Sequence, residues 1–181
     1  MEFNIERIID ELGVLFKFST KVRSEKVDSE KYNSTDMSVT SSNVGSKGNP
    51  VSVVRYKNEL PDVSEYNKEV YKRSGVFLEN IGYPVTPEYM RLVVILHELG
   101  HVDYLERLRG ANAYKLSYAV ENSTLYISKA FLNDYVDEDM SDLERGAVFY
   151  LLSAKENYAD SFAFKNFILA VKHLREKGLI E

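Results

Sequence analysis

The stretch Arg91-Leu92-Val93-Val94-Ile95-Leu96-His97-Glu98-Leu99-Gly100-His101 decides how this chain is read. An apolar run leads into two histidines four positions apart, with a glutamate directly after the first. On an α-helix, positions i and i+4 share a face, with Cβ atoms about 5–6 Å apart. Two imidazoles so placed can converge on one metal ion at about 2.0–2.1 Å each. Glu98 then sits where its carboxylate reaches a water on the ion without ligating. The chain has only three histidines, and two fall into this pattern, so a chance pair on a helix surface is the weaker reading.

The flanks agree with a helix. Thr86 followed by Pro87 makes a good N-cap and first-turn pair, and Gly110 is a plausible stop after about Leu108. Two histidines do not close a catalytic zinc site; a third protein ligand is needed, with the fourth position left for water. The chain contains no cysteine, which removes thiolate ligands, thiol nucleophiles and disulfides together. No further histidine follows His101 closely, so the third ligand is expected to be a carboxylate. Glu156-Asn157-Tyr158-Ala159-Asp160 offers one, on a helical region opened by Ser141 and Glu144 as a capping box and running to about Lys177. Glu156 and Asp160 share a helix face. If Glu156 binds the metal, Asp160 can accept the remaining N–H of a ligating imidazole, His97 by preference, which fixes its tautomer. The bland alternative for Glu156 is a solvated carboxylate paired with Lys155 or Arg145; Asp160 alone would read as a helix-surface acid. Asp103 and Glu106 read as a solvated face.

His97-Glu98-Leu99-Gly100-His101, followed by Glu156-x-x-Ala159-Asp160-x-Phe162-Ala163, resembles the gluzincin clan of HExxH metallopeptidases. The second motif is similar to those of small intracellular or phage-associated branches, the repressor-cleaving ImmA/IrrE peptidases and lethal-factor-type domains. It also resembles the soluble part of HtpX-like peptidases, without their membrane spans. The resemblance covers residues 87–170. It implies a zincin-like α+β fold, mainly helical, in which the active-site helix and a second helix carrying the glutamate pack across the metal beside a short sheet.

The chemistry expected is peptide hydrolysis. Zinc lowers the pKa of its bound water to about 7, Glu98 takes the proton as the water attacks the scissile carbonyl, and the proton passes to the departing amine. The oxyanion donor is left open among Tyr150, Tyr158 and His173, with surface histidine the default for His173. The partner implied is a protein or peptide substrate. A rival reading is a proteolytically inactive zinc-binding interaction protein of a phage or mobile element, although a purely structural site would not need Glu98.

Outside the motif the chain suits one domain with a small appendage. Residues 1–60 read as an N-terminal helix over 3–18, then a polar loop or linker over 19–50, then a strand at 51–56; residues 61–181 read as the metallopeptidase domain. Phe3, Ile5, Ile8, Ile9, Leu12, Leu15 and Phe16 set the buried side of the first helix. Pro61-Asp62, with Glu65 in capping-box position, is expected to open the next helix, and Gly82-Tyr83-Pro84 to end it. Residues 114–131 read either as two strands or as a helix, and Asp137-Glu138-Asp139 as an acidic loop. A net charge of −5 speaks against nucleic acid as partner, since phosphate contacts need a clustered basic face. The longest purely apolar run, Leu92–Leu96, is too short to span a bilayer, and the amphipathic, acidic start is unlike a secretory signal. Together with the missing cysteines, this points to a cytoplasmic protein. Oligomeric state has no signal.

Overall fold

The computed structural model describes residues 3–27, 37–42, 51–65, 69–107 and 154–181. In chain order these form α1 (Ile5–Phe16), β1 (Lys21–Lys26), β2 (Met37–Ser42), β3 (Val51–Tyr56), α2 (Glu69–Asn80), α3 (Pro87–Arg107) and α4 (Ala154–Glu176). The architecture is α+β and mainly helical. The readings of 114–131, of the acidic loop at 137–139, of the Ser141–Glu144 capping box and of Tyr150 lie outside the described residues.

α1 begins where Asn4 accepts a hydrogen bond from the Arg7 amide at 3.0 Å. It ends at Lys17, whose φ of 52° reverses the chain. Ile5, Ile8, Ile9 and Leu12 are buried on one face, as the spacing of apolar residues requires. The chain then enters β1. Here the sequence reading is corrected: residues 19–50 contain two strands, Lys21–Lys26 and Met37–Ser42. β3 is the centre of the sheet, parallel to β1 on one side and antiparallel to β2 on the other. Lys21 pairs with Val51 and Lys26 with Tyr56, while Met37 pairs with Tyr56 and Ser42 with Val51. β1 looks like a linker because its charged residues alternate with the small Val22 and Ser24; the strand exists through pairing with β3 and not through bulk of its own. Register partners Glu25 and Arg55 form a surface ion pair, 2.7 Å from Oε2 to Nε. Along β3, Ser52, Val54 and Tyr56 face the core.

A second correction concerns Pro61-Asp62. The Asp62 carboxylate accepts the Ser64 amide at 2.9 Å and closes only a single tight turn over Val63–Glu65; α2 starts at Glu69. Such Asx turns compete with helix for the same backbone donors. α2 ends before Gly82, whose φ of 71° lets the Tyr83 amide return to Leu78 carbonyl oxygen at 2.8 Å. α3 starts as read: Thr86 Oγ1 accepts the Tyr89 amide at 3.3 Å, and Pro87 is the first helical residue.

Every residue of α3 from Met90 to Val102 is buried, so the helix is surrounded on all sides. Among the described residues α4 lies along it, α2, β2 and β3 pack on it as well, and α1 packs on β1 and α4. Residues of α1, β3, α2, α3 and α4 share one apolar core. At one end Phe16, Phe18 and Phe162 meet, with Phe16 and Phe162 edge-to-face at 5.1 Å. At the other, Phe167 packs edge-on against Phe77 and Tyr83. No helix among the described residues is long and apolar enough to cross a membrane.

Candidate metal centre

α3 and α4 bring their polar residues together midway along the contact. Gly100 makes this possible. A Cβ there would lie 2.7 Å from Ala159 Cα, 2.9 Å from its carbonyl oxygen and 3.1 Å from Phe162 Cβ. The two backbones approach more closely than any side chain at position 100 would allow, and one α4 turn before Ala159 the Glu156 carboxylate reaches the histidines. Glu156 Oε2 stands 3.1 Å from His97 Nε2 and 3.4 Å from His101 Nε2. The imidazole rings stand nearly perpendicular, 87° apart, with centroids 4.7 Å from each other. One ligand atom from each of His97, His101 and Glu156 lies within 4.8 Å of the other two, a group able to hold a metal ion. All three are largely buried: the side chain of Glu156 is 13% exposed, that of His97 11% and that of His101 7%.

The donor set fits an ion on two grounds. Four ligands at about 2.0–2.1 Å around a tetrahedral centre are separated by about 3.3 Å, close to the two distances from Glu156. The second ground is the occupation of His97 Nδ1, which lies 2.7 Å from Asp160 Oδ1. A neutral imidazole whose Nδ1–H is given to Asp160 presents a lone pair at Nε2. That lone pair faces a carboxylate oxygen at 3.1 Å, an arrangement that repels unless a proton or a metal ion sits between them.

Glu98, next to His97, is 7% exposed. Burial pushes its carboxyl up, and Glu156 adds to the rise, while His101 and His97 act in the opposite direction. Asp160 is held from its far side as well: its Oδ2 pairs with the guanidinium of Arg73 on α2. Nothing local in the sequence marks Arg73, which stands in an ordinary helix far along the chain from its partner. Lys155 Nζ lies 3.9 Å from the other Glu156 oxygen, so the bland pairing read for Glu156 exists alongside the contact with the histidines.

Two of the residues considered as oxyanion donors are committed elsewhere. His173 lies 17 residues beyond Glu156 on the same helix, about 25 Å along its axis, and its Nε2 is 3.3 Å from Glu11 of α1. An oxyanion role for His173 is therefore corrected to an anchor between α4 and α1. The Tyr158 hydroxyl donates to Asp103, under the Arg107 guanidinium, and burial together with Asp103 pushes its pKa up to about 12. Asp103 and Glu106 are likewise more than a solvated face: Glu106 Oε1 accepts both the amide and the hydroxyl of Thr20 at 2.7 Å, fastening the entry to β1 onto α3. His101 Nδ1 is buried without a hydrogen-bond partner among the described residues.

No protein-family model, curated protein or solved structure matches the chain.

Proposed function

We propose that the chain is a zinc-dependent peptidase of gluzincin type, with His97, His101 and Glu156 as ligands and Glu98 as general base. The observation that carries this reading is the convergence of both Nε2 atoms on one Glu156 oxygen at 3.1 and 3.4 Å, next to a buried glutamate that holds no ligand position. The donors are two imidazoles and a carboxylate, the borderline-soft set that suits zinc; an all-oxygen cage would suit calcium or magnesium. Zinc so held supplies a nucleophile from water near neutral pH and polarises a carbonyl.

The protein's own residues do the rest. Asp160 keeps His97 in the tautomer that donates through Nε2. Three protein ligands among the described residues would leave a fourth position for water, as hydrolysis requires and a closed structural site does not. Glu98, raised by burial, is suited to take a proton from water and deliver it to a departing amine. A protein or peptide is the substrate this machinery suits, and the ImmA/IrrE-like and lethal-factor-like resemblance of the two motifs agrees.

Zinc content and peptide hydrolysis test the reading together, in wild type, Glu156→Ala and Glu98→Gln. The expected result is about one zinc per chain in wild type and Glu98→Gln, markedly less in Glu156→Ala, and cleavage of a peptide library by wild type only. Stoichiometric zinc without cleavage in wild type would favour the inactive interaction protein. Absence of zinc uptake near neutral pH would overturn the metal centre itself.

A further inference from the structure

Asp160 touches two helices besides its own. Its Oδ1 faces His97 Nδ1 on α3 at 2.7 Å, and its Oδ2 pairs with Arg73 on α2. Both partners are partly withdrawn from water, with Arg73 22% and Asp160 17% exposed at the side chain. A carboxylate held by only one oxygen can turn about its last torsion and offer either oxygen to the imidazole. A guanidinium on the second oxygen removes that freedom and, being always charged, keeps a cation opposite Asp160 at every working pH. Asp160 also lies one helical turn from Glu156, so two carboxylates share this face of α4, and Lys155 Nζ lies 3.9 Å from Glu156 Oε1.

Building on the metal centre proposed above, we infer that Arg73 is a positioning residue for that centre: through Asp160 it holds His97 with Nε2 facing the ion. The path runs from α2 through α4 to α3, and it assigns α2 a role that its sequence does not announce. Removing Arg73 leaves all three ligands in place but frees Asp160, so affinity for the metal falls while the ligand set stays intact. Loss of such an outer partner weakens metal binding by about 10–100-fold.

The test is zinc affinity, measured by competition with a chromophoric chelator on the full chain. Wild type, Arg73→Met, Arg73→Lys, Asp160→Asn and the double variant Arg73→Met/Asp160→Asn are compared. Arg73→Met and Asp160→Asn are each expected to bind about 10–100-fold more weakly. The double variant should be no weaker than Asp160→Asn by more than about 3-fold, because Arg73 acts through Asp160. Arg73→Lys restores the charge without the fork and should recover part of the loss. Circular dichroism of the metal-free proteins checks folding, and if Arg73→Met is unfolded the Lys variant carries the comparison, expected several-fold weaker than wild type. Wild-type affinity in Arg73→Met, or losses that add in the double variant, overturns the role of Arg73 while the metal centre stands. Failure of wild type itself to bind zinc overturns both, and the two failures are thereby told apart.

Discussion

Gly100 and Ala159 face each other so closely that the space for a side chain at position 100 is taken by backbone: the Cα and carbonyl oxygen of Ala159 lie 2.7 and 2.9 Å from where a Cβ would stand. Glycine inside a helix ordinarily costs about 0.5–1 kcal/mol relative to alanine, so Gly100→Ala on an isolated α3 would be stabilising. In the folded protein it has to push α4 away. The expected net effect is a destabilisation of about 1–3 kcal/mol, in the range of other overpacked cores, with weaker zinc binding because Glu156 moves off with α4. Urea unfolding of the metal-free protein and a zinc titration check both. A more stable Gly100→Ala with unchanged zinc affinity would mean that the helices do not touch here in solution.

Glu98 supplies the second prediction. Replacing it by glutamine should leave zinc bound and lower hydrolysis by about two to four orders of magnitude, the usual contribution of a general base. It also carries a pH dependence. Burial raises the folded-state pKa above that of the unfolded chain, so between the two values the folded state holds the proton that the unfolded state has released. Stability of the metal-free protein therefore includes a contribution from Glu98 that is full below the ordinary carboxylate range and lost as pH rises through the folded value. Glu98→Gln should flatten that fall and be the more stable protein above it. Parallel slopes of unfolding free energy against pH for the two proteins would show Glu98 to be solvated.

What was legible in advance was what helices write locally. Helical spacing puts His97 with His101 and Glu156 with Asp160 on shared faces, and the structure brings these four side chains together; Thr86–Pro87 is legible because N-cap chemistry is a matter of two adjacent residues. β1 is not legible locally, for the opposite reason. Its hydrogen-bond partner is β3, 30 residues on, and its inward residues Val22 and Ser24 are too small to register as a buried pattern. Asp62 reads equally well as a helix N-cap or an Asx turn, because both use the same side chain. Arg73 and Glu106 carry no local signal, since what gives each its meaning is a residue 87 and 86 positions away, Asp160 and Thr20 respectively. The Gly100–Ala159 contact lies between these cases: both residues stand in the motifs, but only the packing of α3 on α4 explains why they must be small.

Tyr158 should titrate above the ordinary tyrosine range. With its hydroxyl donated to Asp103 and its ring partly buried, its pKa is pushed up to about 12. The folded state thus keeps a proton that the unfolded state loses from about pH 10 upward. The corresponding stability is intact below pH 10 and disappears as pH rises through about 12. Tyr158→Phe is expected to remove the highest-pH component from the tyrosinate absorbance titration and to make alkaline unfolding less steep. At neutral pH the lost hydrogen bond to Asp103 should cost about 0.5–1.5 kcal/mol. Identical absorbance titrations of the two proteins would place the Tyr158 hydroxyl in water.

The last prediction concerns a charge that the proposed chemistry does not use. Arg91 is 1% exposed at the start of the buried stretch of α3; one of its nitrogens, Nη2, donates to the carbonyl oxygen of Glu59, while Nε and Nη1 find no hydrogen-bond partner among the described residues. A buried cation with two unpaired donors is costly, and exchange for an apolar side chain of similar reach is commonly neutral or stabilising by about 1–4 kcal/mol. Glu59 is exposed, so its carbonyl can turn to water once the guanidinium is gone. Arg91→Met, which keeps the long unbranched stem among Met90, Leu92 and their neighbours, should raise the urea midpoint with an unchanged slope. Zinc binding should not change, because position 91 lies nearly two helical turns before His97. A lower midpoint would show that both unpaired donors are satisfied in solution, and that α3 depends on a cation held inside the core.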